Sequence, residues 1–195
     1  MLGACSHNPS MPQNPAPRIG NGYPERLNIA SPSGTEIIVV INDNDKMVHS
    51  GMFAAARLFD PAGSYLGTRS RDQSWQGSSL EDYVRFQLDD GPMVKLYRFK
   101  LPKGQFSEVV ARIDDAGITI PLFCAARVQN IVSGIGPFEA VPNTWLASPA
   151  ALAEHLDTLI SQHGTGNCYW PDGSSCNPVT QPKEARIAQA PGNSE

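Results

Sequence analysis

A proline ahead of a helix-favouring stretch fixes where one helix of this chain begins, and it places a cysteine in the first turn of that helix. The stretch reads Ile118-Thr119-Ile120-Pro121-Leu122-Phe123-Cys124-Ala125-Ala126-Arg127-Val128. Proline is favoured at first helical positions, where its missing N–H breaks no hydrogen bond. The unpaired N–H groups and the dipole of a helix start favour the thiolate, which is the reactive form. We therefore predict a nucleophile at Cys124, and a small buried hydrophobe is the alternative for this residue.

A thiol nucleophile needs a base, and His49 is the histidine that the sequence places on a predicted strand. The segment 46–53 has strand character and follows the turn-forming residues 42–45. Strands hold their side chains rigidly. The other histidines lie in a segment rich in Pro, Asn and Ser, or in or after an amphipathic helix: His7, His155 and His163. His49 is therefore the predicted base.

An acid that fixes the tautomer of the imidazole would complete this site, and Asp60 is placed for that role. The run 54–60 predicts a second strand, which ends at Asp60 just before the turn-forming residues 61–64. A strand that folds back in this way would bring Asp60 beside His49. An aspartate that simply opens the turn is the alternative.

The order of these three residues resembles the permuted papain-like hydrolases, which are circularly permuted relatives of the NlpC-type cell-wall peptidases. Lecithin:retinol acyltransferases and the YaeF-like bacterial lipoproteins belong to that group, in which a histidine strand comes first and a cysteine at a helix start comes last. The resemblance spans about residues 36–160. It implies that His49 is the base, Asp60 the orienting residue and Cys124 the nucleophile. It also implies an α+β fold in which an antiparallel sheet packs against the cysteine helix. Acyltransferase relatives often have histidine at the position of Asp60, so the resemblance leaves acyl transfer open.

Length and composition predict one catalytic domain with two loose ends. The chain has 195 residues, of which 41% are hydrophobic, and this is enough for one sizeable core. We place the catalytic domain at 35–163, a tether rich in Pro, Asn, Ser and Gly at 1–34, and a tail with a Cys-containing loop at 164–195. The net charge of −4 disfavours a nucleic-acid partner.

Three further elements are predicted between and after the catalytic residues. A helix with a capping serine is expected over 78–88, a strand with one wet face over 93–101, and a helix closed by glycine over 106–117. The aromatic Trp145, in the loop 142–146, is expected to cover core, and lining a cleft is the alternative.

The remaining cysteines carry two predictions about the compartment. Cys5 follows Leu2-Gly3-Ala4 as in a lipobox, so it is a candidate for lipidation, although the upstream part of a signal peptide is missing. Either the true start codon lies further upstream, or the sequence begins near the cleavage site, or the match is chance. Cys168 and Cys176 flank a turn-forming segment and are expected to form a disulfide, which suits an oxidising compartment. Their spacing does not make a closed zinc site, and we predict no metal and no cofactor.

Two classes of function fit the sequence. In the first, the protein is a cysteine hydrolase of the bacterial periplasm or cell envelope, or a secreted one, that cleaves an amide or ester bond. Its substrate would be a cell-wall peptide, slightly favoured, or a lipid acyl group, and acyl transfer is a variant. A secreted antibacterial amidase toxin with an immunity protein as partner is another variant. In the second class, the protein is a non-catalytic binding lipoprotein of the same fold.

Overall fold

The computed structural model describes residues 27–44, 47–65, 79–116 and 121–177 and shows an α+β fold, as predicted. Five antiparallel strands form a sheet in the order β3-β2-β1-β4-β5. The strands are β1 (Glu36–Asn44), β2 (Met47–Ala54), β3 (Arg57–Phe59), β4 (Val94–Lys100) and β5 (Asn167–Tyr169). The helices are α1 (Leu80–Leu88), α2 (Lys103–Ala116), α3 (Cys124–Val132) and α4 (Pro149–His163).

Helices cover both faces of the sheet, and the central strand β1 is therefore apolar on both sides. Alternate residues of β1, Ile37 and Ile41 among them, belong to the core beneath α2, α3 and α4, which we call the three-helix face. The residues between them, Ile38 and Val40, pack with Leu80 and its neighbours in α1, on the α1 face. A strand buried on both sides explains the continuous apolar run at the start of β1.

The helix boundaries follow the local signals of the sequence. Ser79 caps α1, because its Oγ accepts a 2.9 Å hydrogen bond from the amide of Asp82. Gly164 ends α4 in the left-handed conformation, with φ of +61°. A short 3₁₀ turn at Pro121–Phe123 leads into α3, and Cys124 is the first residue of that helix. The predicted start of the cysteine helix is thus confirmed.

The structure differs from the sequence expectation at the end of β1 and near the N-terminus. Residues 42–44, expected in a turn, continue β1 because β2 pairs with all three and β4 pairs with Asn42. Asn28 belongs to the predicted tether, but its amide donates a 2.9 Å hydrogen bond to the carbonyl of Pro171, in the loop after β5. Cys5 and most of the predicted tether lie outside the described residues, as does the end of the predicted tail. In the described part of the chain, no helix combines the length and apolar character needed to cross a membrane.

Candidate active site

His49 and Asp60 meet on the α1 face of the sheet. The hairpin of β2 and β3 pairs Met52 with Phe59, and Asp60 is the next residue along the chain. The Nε2 atom of His49 lies 2.7 Å from Oδ1 of Asp60, and the two residues are only 4% and 3% exposed. The other carboxylate oxygen, Oδ2, accepts a 2.8 Å hydrogen bond from the amide of Tyr65. The juxtaposition expected from the sequence is therefore present, and the carboxylate is held from both sides.

This geometry decides which ring nitrogen of His49 is available for chemistry. With an ionised Asp60 accepting from Nε2–H, the neutral imidazole carries its lone pair on Nδ1. Among the described residues, Nδ1 has no hydrogen-bond partner. Nδ1 is therefore the atom with which His49 would take a proton.

Cys124 is fully buried at the first position of α3, and α3 packs on the three-helix face. Its sulfur is in a disulfide in this structure. Cys168 and Cys176 are bonded to each other. The predicted nucleophile thus has the predicted helical position, but its sulfur is oxidised.

Alternation along β2 directs His49 away from α3. Phe53 packs on the α1 face and Met52 on the three-helix face. Because side chains alternate along a strand, the side chain of His49 projects from the same face as that of Phe53. Within the described residues, the hydrogen-bond partner of the imidazole is Asp60 and not Cys124. The pairing of β3 with β2 covers 52–54, so the described strands leave the edge of β2 open beside His49.

A polar network that sequence reasoning missed lies directly across from His49. Asn42 of β1 is the register partner of His49 and is fully buried. Its Nδ2 donates to the carbonyl and to Oε1 of Gln87, both at 3.1 Å, and to Oδ2 of Asp90 at 3.2 Å. Burial raises the pKa of Asp90 to about 6. The signal that could have revealed this network is the asparagine that interrupts the apolar run of β1.

Tyr83 of α1 fills the space beside the His49–Asp60 pair. Its hydroxyl lies over Gly51, where a Cβ would be 2.1 Å from the phenolic oxygen. Burial raises the pKa of Tyr83 well above its usual range, and the negative charge of Asp60 adds to this effect. Tyr83 therefore stays protonated and contributes an uncharged side chain to the site.

Aromatic side chains lie next to the start of α3 on the outside. Trp145 is 73% exposed, so the expectation that it covers core is wrong. Its ring centroid lies 6.4 Å from that of Phe123, the residue before Cys124. Leu122 is also exposed.

The predicted disulfide between Cys168 and Cys176 is confirmed. Their Cα atoms are 4.9 Å apart, within the range that a disulfide requires. The amide of Cys176 also donates a 3.0 Å hydrogen bond to the carbonyl of Cys168. In the described ranges, no group of three or more His, Cys, Asp or Glu residues is arranged to hold a metal ion.

Comparison of the chain with protein-family models, with curated proteins and with solved structures gave no match.

Proposed function

We propose that this protein is a cysteine hydrolase of the permuted papain-like type that cleaves an amide or ester bond after its Cys124 disulfide has been reduced. The observation that carries the proposal is the buried contact of 2.7 Å between Nε2 of His49 and Oδ1 of Asp60. A carboxylate in that position fixes the tautomer and stabilises the imidazolium that forms during general-base catalysis. Cys124, at the start of a helix, supplies the nucleophile in this proposal.

The reaction begins when a dithiol reductant converts the disulfide of Cys124 to a thiol. His49 takes the thiol proton on Nδ1, and the thiolate attacks the carbonyl carbon of the substrate. Backbone N–H groups at the start of α3 stabilise the oxyanion. The imidazolium then protonates the leaving amine or alcohol, and a thioester remains on Cys124. Water, deprotonated by His49, hydrolyses the thioester and restores the thiol.

The compartment and the substrate follow from the cysteines and from the family resemblance. The disulfide between Cys168 and Cys176 supports an oxidising location such as a bacterial envelope or an extracellular space. A cell-wall peptide is our first substrate, and a lipid acyl group is the second. Lipidation of Cys5 and an immunity protein as partner remain predictions.

A second candidate function is favoured by two specific observations. The sulfur of Cys124 is oxidised, and His49 starts from the face of the sheet opposite to α3. Both observations suit a non-catalytic binding protein of the same fold. In that case Cys124 is a structural cysteine and the His49–Asp60 pair stabilises the β2–β3 hairpin.

Alkylation of the reduced protein separates the two candidates. We expect iodoacetamide, read out by site-resolved mass spectrometry, to label Cys124 faster than Cys168 near pH 7. His49→Ala should slow labelling of Cys124 at pH 6–7 much more than near pH 10, where thiols ionise without a base. Asp60→Ala should have a smaller effect in the same direction. Labelling of Cys124 that is no faster than that of free cysteine and indifferent to His49→Ala would favour the binding protein.

A turnover assay then identifies the substrate. The protein is incubated with purified cell-wall fragments and, separately, with phospholipid vesicles, each with and without dithiothreitol, and products are found by mass spectrometry. We expect product only with reductant, and none from Cys124→Ser, which is nearly isosteric. Product without reductant, or from the serine variant, would contradict Cys124 as the nucleophile.

A further inference from the structure

His49 has a second acidic neighbour on the α1 face, and that neighbour belongs to a different element from Asp60. Asp90 follows α1 in the chain, whereas Asp60 follows β3. The two acids thus approach the histidine strand from different parts of the sequence.

Asn42 fixes the position of Asp90 relative to His49. Asn42 and His49 are directly opposite each other in the pairing of β1 with β2. Directly opposite residues of an antiparallel pair have Cβ atoms about 4.5–5.5 Å apart and project to the same face. The Nδ2 of Asn42 holds Oδ2 of Asp90 at 3.2 Å. The Asp90 carboxylate is therefore bound to the side chain that neighbours the imidazole.

The loop after α1 is built to keep this arrangement. The Oδ1 of Asn42 accepts from Nδ2 of Asn44 at 2.6 Å, and Oδ1 of Asn44 accepts from the amide of Met93 at 3.0 Å. Gly91 lies so close to Asn44 that a Cβ would be 2.1 Å from that Oδ1, and its φ of +151° also favours glycine. The residues that follow Asp90 in the loop are therefore anchored on β1.

The electrostatic interaction between His49 and Asp90 also couples the protonation of these two residues. Burial raises the pKa of Asp90, while the hydrogen bond from Asn42 and the positive charge of His49 lower it. Asp89, next in the chain, opposes them. Asp60 contacts the imidazole directly, and Tyr83 stays neutral. Because an interaction between two titrating groups is reciprocal, an ionised Asp90 must favour the imidazolium of His49.

We infer that Asp90 is a positioning residue for His49: its carboxylate, held by Asn42, stabilises the imidazolium that forms when His49 accepts a proton. The catalytic meaning of this inference rests on the proposed function. The coupling between the two residues does not, and it is measurable without any substrate.

The test is an NMR pH titration of the His49 imidazole in the full-length protein. Asp90→Asn should lower the pH midpoint of the imidazole resonances by at least about half a unit, the size expected for one charge several ångströms away at the dielectric of bulk water, because the lower effective dielectric of a half-buried site makes the shift larger. Asp82→Asn is the matched control, since Asp82 is an exposed acid of α1, the helix that precedes Asp90, and it should leave the midpoint unchanged. Asp90→Glu, which keeps the charge, should also leave the midpoint nearly unchanged.

Equal midpoints for Asp90→Asn and Asp82→Asn would overturn the inference, as would an equally large shift with Asp90→Glu. If Asp90→Asn does not fold, the carboxyl resonance of Asp90 provides the same test, because His49→Gln should raise its midpoint. No change in that midpoint would also overturn the inference. Failure of the proposed function alone would appear as a missing thiol-dependent product with the coupling intact.

Discussion

At Gly51 the backbone of β2 passes directly beneath the hydroxyl of Tyr83. A Cβ there would lie 2.1 Å from the phenolic oxygen and 2.9 Å from Cζ. We expect Gly51→Ala to lower the free energy of unfolding by about 2 kcal/mol, because the ring is buried and cannot move aside. Adding Tyr83→Phe should restore part of this loss, since it removes the nearer contact. The free energies come from urea denaturation.

Gly104→Ala is the control for this substitution. Among the described residues, and apart from the neighbouring backbone of the helix itself, no atom lies within 4 Å of a Cβ at Gly104, which is in the first turn of α2. Alanine is a better helix former than glycine, so the free energy of unfolding should stay the same or rise by up to about 1 kcal/mol. Equal losses for Gly51→Ala and Gly104→Ala would show that contact with Tyr83 is not the cause.

The carboxyl of Asp90 makes stability depend on pH. Burial raises its pKa to about 6 in the folded protein, above that of an unfolded aspartate. The folded state therefore binds more protons between about pH 4 and pH 6, and stability falls as pH rises through this window. We expect a fall of about 1 kcal/mol, less than the full shift would give because water screens a half-buried group. Asp90→Asn should reduce this slope in urea titrations at pH 4, 5, 6 and 7, and an unchanged slope would contradict this assignment.

On the scale of an element, α1 holds Tyr83 and Gln87 against the site, and Ser79 fixes where this helix starts. The Oγ of Ser79 accepts from the amide of Asp82 at 2.9 Å. Ser79→Ala should lower the free energy of unfolding by about 1 kcal/mol because that amide loses its partner. Ser79→Asp supplies another capping oxygen and should stay within a few tenths of a kcal/mol of the wild type. Equal losses for both variants, by urea denaturation, would argue against a capping role.

On the scale of the whole molecule, the disulfide loop joins the two ends of the described chain. Cys168 lies in β5, which pairs with β4, and Pro171 in the loop accepts a hydrogen bond from the amide of Asn28. The double variant Cys168→Ala/Cys176→Ala should lose about 2–3 kcal/mol of stability, the value expected for opening a loop of this length.

Hydrogen exchange should locate this loss in the double variant. The amide of Asn28 should exchange faster than the loss of global stability alone explains, because its acceptor lies in the opened loop. Amides in the middle of β1 should exchange faster only by the amount that the loss of global stability predicts. A uniform rise across the sheet would show that the disulfide does not hold the N-terminal segment locally.

Local signals in the sequence determined the helices, the disulfide and the hairpin that joins His49 to Asp60. Capping serines, a terminal glycine and a proline before Cys124 act within a few residues, so they can be recognised without the fold. The proximity of His49 and Asp60 follows from one short hairpin, and that of Cys168 and Cys176 follows from one turn.

Only the tertiary structure decided what faces what. Asn42 and Asp90 are 48 residues apart in sequence, and their hydrogen bond exists because the sheet register and the packing of α1 bring them together. The same register directs His49 to the α1 face while α3 packs on the other. A sequence shows that successive strand residues point to opposite faces, but which helix covers which face depends on contacts between distant segments.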